Sequence, residues 1–208
     1  MKKPLLYVTL IALLIIPARQ GSAERRTPSE IAGFKLGDKI EKYTELVRME
    51  TALPLRDSKY LTQVLVRELE GYKSGTIEFG NCAEPGRILR IKLKYAYSDR
   101  KFYDELLARF KKRLGKPDEW RGDPFHVIIA WKWSFRDKDH RRISLILQHS
   151  RDDEYKWGNS VKLTNRTLLN QERSCYESKH AKGTDPRGDE IEGKVDLKKI
   201  DFTRLVPN

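Results

Sequence analysis

The chain has 208 residues, of which 42 are Lys or Arg and 30 are Asp or Glu, so its formal net charge is +12. With 38% hydrophobic and 35% charged residues, the composition excludes a protein with many membrane spans, and its 7 Phe, 9 Tyr and 4 Trp residues argue against a chain that is disordered throughout. The length suits one ordinary domain with extensions.

The first 23 residues have the three parts of a secretory signal. Two lysines follow Met1, the run from Leu5 to Ile16 is apolar, and a small-residue cleavage site ends at Ala23. The apolar run of 12 residues is shorter than the roughly 20 needed to cross a bilayer, which disfavours an uncleaved anchor. We therefore predict a signal peptide over residues 1–23 and a periplasmic or secreted protein. The exported chain keeps nine more cations than carboxylates.

The chain has two cysteines, Cys82 and Cys175, and both remain after cleavage of the predicted signal. An even pair in an oxidising compartment favours a bridge, so we predict a Cys82–Cys175 disulfide. The alternative is two unrelated buried thiols.

The polar residues 24–32 are predicted to form a flexible lead-in. A short strand and a turn then follow from Phe34, and Asp38 with Glu41 has the spacing of a capping box. Apolar residues at helical spacing come next, so a first helix is predicted from Asp38 to about Met49.

Three β-rich stretches follow, at Tyr60–Leu69, Thr76–Phe79 and Ile88–Tyr97. The third alternates clearly, so it is predicted to have one dry face and one wet, basic face. The predicted dry face carries Leu89, Ile91, Leu93, Tyr95 and Tyr97, and the wet face carries Arg90, Lys92 and Lys94.

A second helix is predicted after Ser98 or Asp99, either of which suits an N-cap. Apolar residues recur at helical spacing from Phe102 to Leu114, and Gly115 marks the end of the helix. Its apolar stripe requires a sheet to cover.

Three more strands are predicted, at Phe125–Arg136, Ile143–His149 and Trp157–Leu163. On the first of them, two tryptophans at 131 and 133 share a face with two other large apolar residues. This face is interpreted as core rather than as a surface that stacks nucleobases, so the sequence does not favour nucleic acid as a partner.

These elements predict an α+β fold with a mainly antiparallel sheet and two helices packed on one face. The order of elements suggests a tandem αβββ arrangement. A single domain is predicted over residues 33–176, and residues 177–208 are predicted to be a mostly mobile charged tail.

No motif for a nucleophile, a metal cluster or a phosphate loop occurs in the chain, so we predict no catalytic, metal-binding or cofactor-binding residue and no cofactor. The four histidines are scattered. His149 has Asp152 and Asp153 nearby and could join a metal site, although a strand-end histidine satisfied by hydrogen bonds is the favoured interpretation.

Five cations are predicted to share the open side of the sheet, because they alternate with apolar residues on two strands. They are Arg90, Lys92, Lys94, Lys132 and Arg136, with Lys162 as a further candidate. This side would attract a polyanion or an acidic partner, and we predict that it binds the partner. The alternative is an ordinary solvated sheet face.

Two segments resemble a known family. They are Phe34-Lys-Leu-Gly-Asp38, which enters the first predicted helix, and Phe110-Lys-Lys-Arg-Leu-Gly-Lys-Pro117, which precedes Trp-rich strands. Together they resemble the small exported α+β modules of the SmpA/BamE-like envelope family, although this chain has no cysteine at the predicted cleavage site for lipid attachment. The resemblance implies a protein-binding or structural role in the envelope and no catalysis.

The sequence therefore predicts a non-enzymatic exported protein that binds an envelope partner or an anionic ligand. The alternative is a secreted hydrolase whose site is assembled from residues distant in sequence.

Overall fold

The computed structural model of the protein describes residues 27–151 and 158–180. The elements in chain order are β1 (Glu30–Ile31), β2 (Phe34–Lys35), a 3₁₀ turn (Ile40–Tyr43), β3 (Val47–Leu55), β4 (Ser58–Val66), β5 (Tyr72–Gly80), β6 (Ile88–Tyr95), α1 (Arg100–Leu114), β7 (Glu119–Trp120), β8 (Ile128–Arg136), β9 (Arg142–Ser150), β10 (Gly158–Asn165) and α2 (Arg166–His180). The predicted signal peptide and the tail beyond His180 lie outside the described residues. Among those residues, no helix is long and apolar enough to cross a bilayer.

Strands β3 to β10 form one eight-stranded sheet in the order β3-β4-β5-β6-β10-β9-β8-β7, and every pairing in it is antiparallel. The predicted α+β class with a mainly antiparallel sheet is confirmed. Each half of the sheet is four strands followed by a helix, and β6 pairs with β10 where the halves meet. The suggested αβββ unit is therefore wrong in its order, because the helix of each unit comes last.

The helix α1 covers one face of the sheet and forms the main core there. The Asp99 carboxylate accepts the Phe102 N–H at 2.8 Å, and Gly115 ends the helix with a φ of 79°, a value that favours glycine. Trp133 is fully buried under this helix, and its indole N–H donates to the Gly115 carbonyl at 2.8 Å. The predicted second helix and the interpretation of this tryptophan as core are confirmed.

The helix α2 packs on the other face of the sheet, at the end of the strands where Gly80 and Leu61 pair. Its Leu168 and Leu169 form a small second core with Leu61 and Leu89. We expected both helices on one face, but the face predicted to be wet also has an apolar end. An irregularity in the β5–β6 pairing explains this, because Leu89 is skipped in the register and turns away from the main core.

The helix predicted from Asp38 to Met49 is wrong. Only the 3₁₀ turn forms there, and the Asp38 carboxylate accepts from the Tyr43 hydroxyl at 3.1 Å instead of capping a helix. Val47 is fully buried and opens β3, where it pairs with Val66. Pairing with a distant strand overrides the local helical spacing, since burial of an apolar strand outweighs helix propensity.

The ends of the domain also differ from the prediction. Glu30 and Ile31 pair with Lys35 and Phe34, so a small hairpin stands within the predicted lead-in. At the other end α2 continues to His180, beyond the predicted domain end at residue 176.

The predicted disulfide is confirmed. Cys82 and Cys175 are bonded with their Cα atoms 5.9 Å apart, which joins α2 to the loop after β5. One helical turn earlier, the buried Glu172 carboxylate accepts the backbone N–H groups of Cys82 at 2.7 Å, Ala83 at 3.0 Å and Glu84 at 2.7 Å. The bond and the carboxylate together hold α2 against the sheet.

Candidate functional site

The candidate site is the part of the sheet that faces away from α1 and that α2 leaves uncovered, which we call the open face. Directly opposite residues on neighbouring strands share a face, so the register places its side chains in rows. One row is Lys132, Ile146, Lys162, Lys92 and Thr76; a second is Ala130, Gln148, Ser160, Lys94 and Ser74; the third is Ser134, Ser144, Thr164, Arg90 and Glu78.

The structure brings four of the five predicted cations together on this face. Arg90, Lys92, Lys94 and Lys132 lie in the three rows, while the apolar residues between them, such as Leu93, are buried on the other side. The period-two sorting predicted from the sequence is therefore confirmed for these strands. Arg136 lies apart, at the exposed end of β8, in a hollow of about 500 Å³ beside the start of α2.

Two adjoining hollows lie on the open face. The lysine hollow has a volume of about 610 Å³, and its polar lining includes Lys92, Lys94, Lys162, Ser74, Thr76, Gln148 and Ser160. The hydroxyl hollow has a volume of about 380 Å³ and is lined by Arg90, Arg121, Ala130, Lys132, Ser144, Ile146, Gln148, Lys162, Thr164 and Arg166. Among the described residues, seven cations and no carboxylate line the two hollows.

A buried carboxylate holds two of these cations in place. Glu78 is fully buried at the centre of the sheet, 2.5 Å from Arg90 Nη1 and 2.6 Å from Lys92 Nζ. A buried charge needs such partners, because isolation from water would cost several kcal/mol. Glu78 therefore fixes the positions of Arg90 and Lys92 on the face.

A second carboxylate lies at the rim. Glu119 on β7 is 2.9 Å from Lys132 Nζ and 2.7 Å from Arg121 Nε. The hydrogen bond from Lys132 is the main cause that lowers the pKa of Glu119, so this carboxylate stays ionised and orients the two cations. Because the pair is open to water, its contribution to stability is small.

Lys94 has no carboxylate partner within the residues that the structure describes. Partial burial, with repulsion from Lys73 as a second cause, lowers the pKa of its ammonium group. A bound anion would offset both effects, so it stabilises the charged form of Lys94 more than that of an ordinary surface lysine.

The histidines do not form a metal site among the described residues, which contain no group of three His, Cys, Asp or Glu side chains able to hold a metal ion. His149 is buried, and its Nδ1 lies 2.8 Å from the Asn159 Oδ1. Asn159 Nδ2 donates to the carbonyls of Tyr97 and Asp99, so its oxygen accepts and His149 Nδ1 carries a proton. This histidine is thus satisfied within the fold, as the favoured interpretation of the sequence predicts.

The sequence did not lead us to predict several residues of the face. Ser144 and Thr164 lie between buried residues of β9 and β10, so the same alternation could have placed them on the wet side. Arg166 had no such signal, because no helix was predicted where α2 begins.

Comparison of the chain with protein-family models, with curated proteins and with solved structures finds no match. What the chain does is therefore inferred from the geometry of its open face.

Proposed function

We propose that this chain is an exported binding protein that recognises an anionic ligand on its open face. The observation that carries the proposal is the set of seven cations lining two adjoining hollows, which no carboxylate lines within residues 27–151 and 158–180. Such a surface attracts an anion from a distance and holds it by direct ion pairs.

The spacing of the cations suits an extended polyanion. Alternate residues on a strand lie about 7 Å apart and neighbouring strands about 4.8 Å apart, so the array spans several negative charges of a polymer. Lys94, Lys132 and Lys162 lie on three different strands of the array. Binding of this kind weakens as salt rises, because the polymer regains its counterions.

Export is part of the proposal. The leader over residues 1–23 has the pattern of a secretory signal, and the Cys82–Cys175 bond fits an oxidising compartment. The resemblance to the SmpA/BamE-like family implies the same compartment and a binding role. In the cell envelope, anionic polymers and lipid head groups are candidate ligands.

The test is retention of the exported protein on a heparin column. The variant carries Lys94→Gln, Lys132→Gln and Arg166→Gln, which remove three cations and leave the buried Glu78 with both of its partners. We expect elution at lower NaCl concentration, and the slope of log affinity against log salt should fall by up to about three.

The matched control removes three exposed cations from the α1 side through Lys101→Gln, Lys112→Gln and Lys116→Gln. Both variants have the same net charge, so only the position of the lost cations differs. Retention that falls equally in both would show attraction by net charge alone and would contradict the proposal.

A further inference from the structure

Two mostly buried residues with hydroxyl side chains, Ser144 and Thr164, line the hydroxyl hollow. Ser144 is 8% exposed and Thr164 is 2% exposed, and the two residues face each other in the β9–β10 pairing. Neither hydroxyl makes a hydrogen bond to another group within residues 27–151 and 158–180, although both border the hollow. Neither hydroxyl oxygen is among the buried atoms that lack a partner in the described residues, so both oxygens open into the hollow, where a ligand or water can bind them.

The surroundings of these hydroxyls favour a negative charge. The same hollow is lined by Arg90, Arg121, Lys132, Lys162 and Arg166, and by no carboxylate from the part of the chain that the structure describes. Arg166 is the first residue of α2, so the positive end of the helix dipole borders the hollow as well.

We infer that the hydroxyl hollow binds a tetrahedral oxyanion, a phosphoryl or sulfuryl group carried by the anionic ligand. Such a group has several acceptor oxygens, which can take the two hydroxyl donors and the forked N–H donors of arginine together. A volume of about 380 Å³ suits a single such group with its water, so a polymer bound along the face would place one of its charged groups here. The inference rests on the proposed function and names the group that the face recognises.

The lysine hollow provides the comparison. Its hydroxyl residues Thr76 and Ser160 are half-buried, and Ser74 is exposed, so water already reaches them. The two hollows therefore differ in exposure, because the hydroxyl residues of the lysine hollow are more open to water than Ser144 and Thr164.

The test is titration of the exported protein with inorganic phosphate, followed by the amide resonances of Ser144, Thr164 and Arg166 in ¹⁵N-labelled protein. The variant is Ser144→Ala with Thr164→Val, which removes both hydroxyls and no charge. The matched control is Ser160→Ala with Thr76→Val, which removes two hydroxyls from the lysine hollow. Ser144→Ala alone serves as a second variant if the double variant does not fold.

We expect saturable shifts at these three amides, about tenfold weaker phosphate binding in the Ser144→Ala, Thr164→Val protein, and unchanged binding in the control. Sulfate should compete with phosphate, whereas acetate should not. Equal affinity in the two variants, or shifts confined to the lysine hollow, would overturn the inference.

Failure of this inference is distinguishable from failure of the proposed function. Heparin retention could depend on the three open-face cations while phosphate affinity does not depend on the two hydroxyls. In that case the face binds anions by charge alone, and the inferred oxyanion site is wrong. If heparin retention is independent of those cations, the proposed function itself is wrong.

Discussion

Glu78 shows how one residue shapes the open face. Its carboxylate is fully buried beneath a cationic surface and contacts Arg90 and Lys92. The side chain of Arg90 is 19% exposed and that of Lys92 is 43% exposed, so water reaches the cations but not the anion between them. Glu78 therefore stabilises the array and at the same time reduces the charge that a ligand meets.

These two effects predict that removal of the Glu78 charge lowers the stability of the fold and strengthens heparin binding. Glu78→Gln should lower the free energy of unfolding by about 2 kcal/mol, because charged hydrogen bonds are lost in a buried place. The same variant should elute from heparin at higher salt, because Arg90 and Lys92 are no longer neutralised. Urea unfolding and the elution salt measure the two effects.

Glu119→Gln is the matched control, since it removes the same charge from an ion pair that is open to water. This variant should also elute from heparin at higher salt, with little change in the free energy of unfolding. If Glu78→Gln unfolds at the same urea concentration as the original protein, the buried ion pairs do not hold the face together.

At the scale of the element, α2 decides how much of the sheet stays open. Its apolar residues cover only the end of the strands near Leu61 and Leu89. The disulfide at Cys175 and the carboxylate of Glu172 hold the helix in this position. A charged acceptor that binds three backbone N–H groups is a strong anchor, because each bond is made to an ionised group.

Glu172→Gln should therefore weaken the docking of α2. The neutral amide is a weaker acceptor, and we expect a loss of about 2–3 kcal/mol in unfolding free energy with the disulfide intact. The backbone amides of Cys82, Ala83 and Glu84 should also exchange their hydrogens faster. Urea unfolding and hydrogen exchange measure these changes.

The control for this prediction is Glu177→Gln, which changes an exposed carboxylate on the same helix. This substitution should leave the free energy of unfolding nearly unchanged. Equal stability of the two variants would mean that Glu172 does not anchor the helix.

At the scale of the whole molecule, the open face, the disulfide and the leader are consistent with one another. The proposed export would bring the basic face to the anionic polymers of the envelope, and an oxidising compartment favours the bond across 93 positions.

This consistency predicts the form of the protein in the cell. The full chain, expressed in a bacterium, should be recovered from the periplasm with Glu24 as its first residue, and Ala23→Tyr should block this processing. N-terminal sequencing measures the cleavage. Recovery of an unprocessed chain whose cysteines react with a thiol reagent without reductant would contradict export.

Local patterns in the sequence were sufficient for the parts of the fold that depend on neighbouring residues. The pattern of apolar residues along each element predicted the apolar stripe of α1 and the alternation on β6 and β8, and Asp99 was a recognisable cap. The same alternation grouped the cations Arg90, Lys92, Lys94 and Lys132. The disulfide followed from there being two cysteines and a predicted oxidising compartment.

Contacts between distant residues decided the rest. Val47 joins a strand because Val66 pairs with it, and Leu89 turns toward α2 because one residue is skipped in the register. Ser144, Thr164 and Arg166 converge only after β9, β10 and α2 have packed. Periodicity records which side of an element avoids water, but not which element covers it, and a binding site needs that second piece of information.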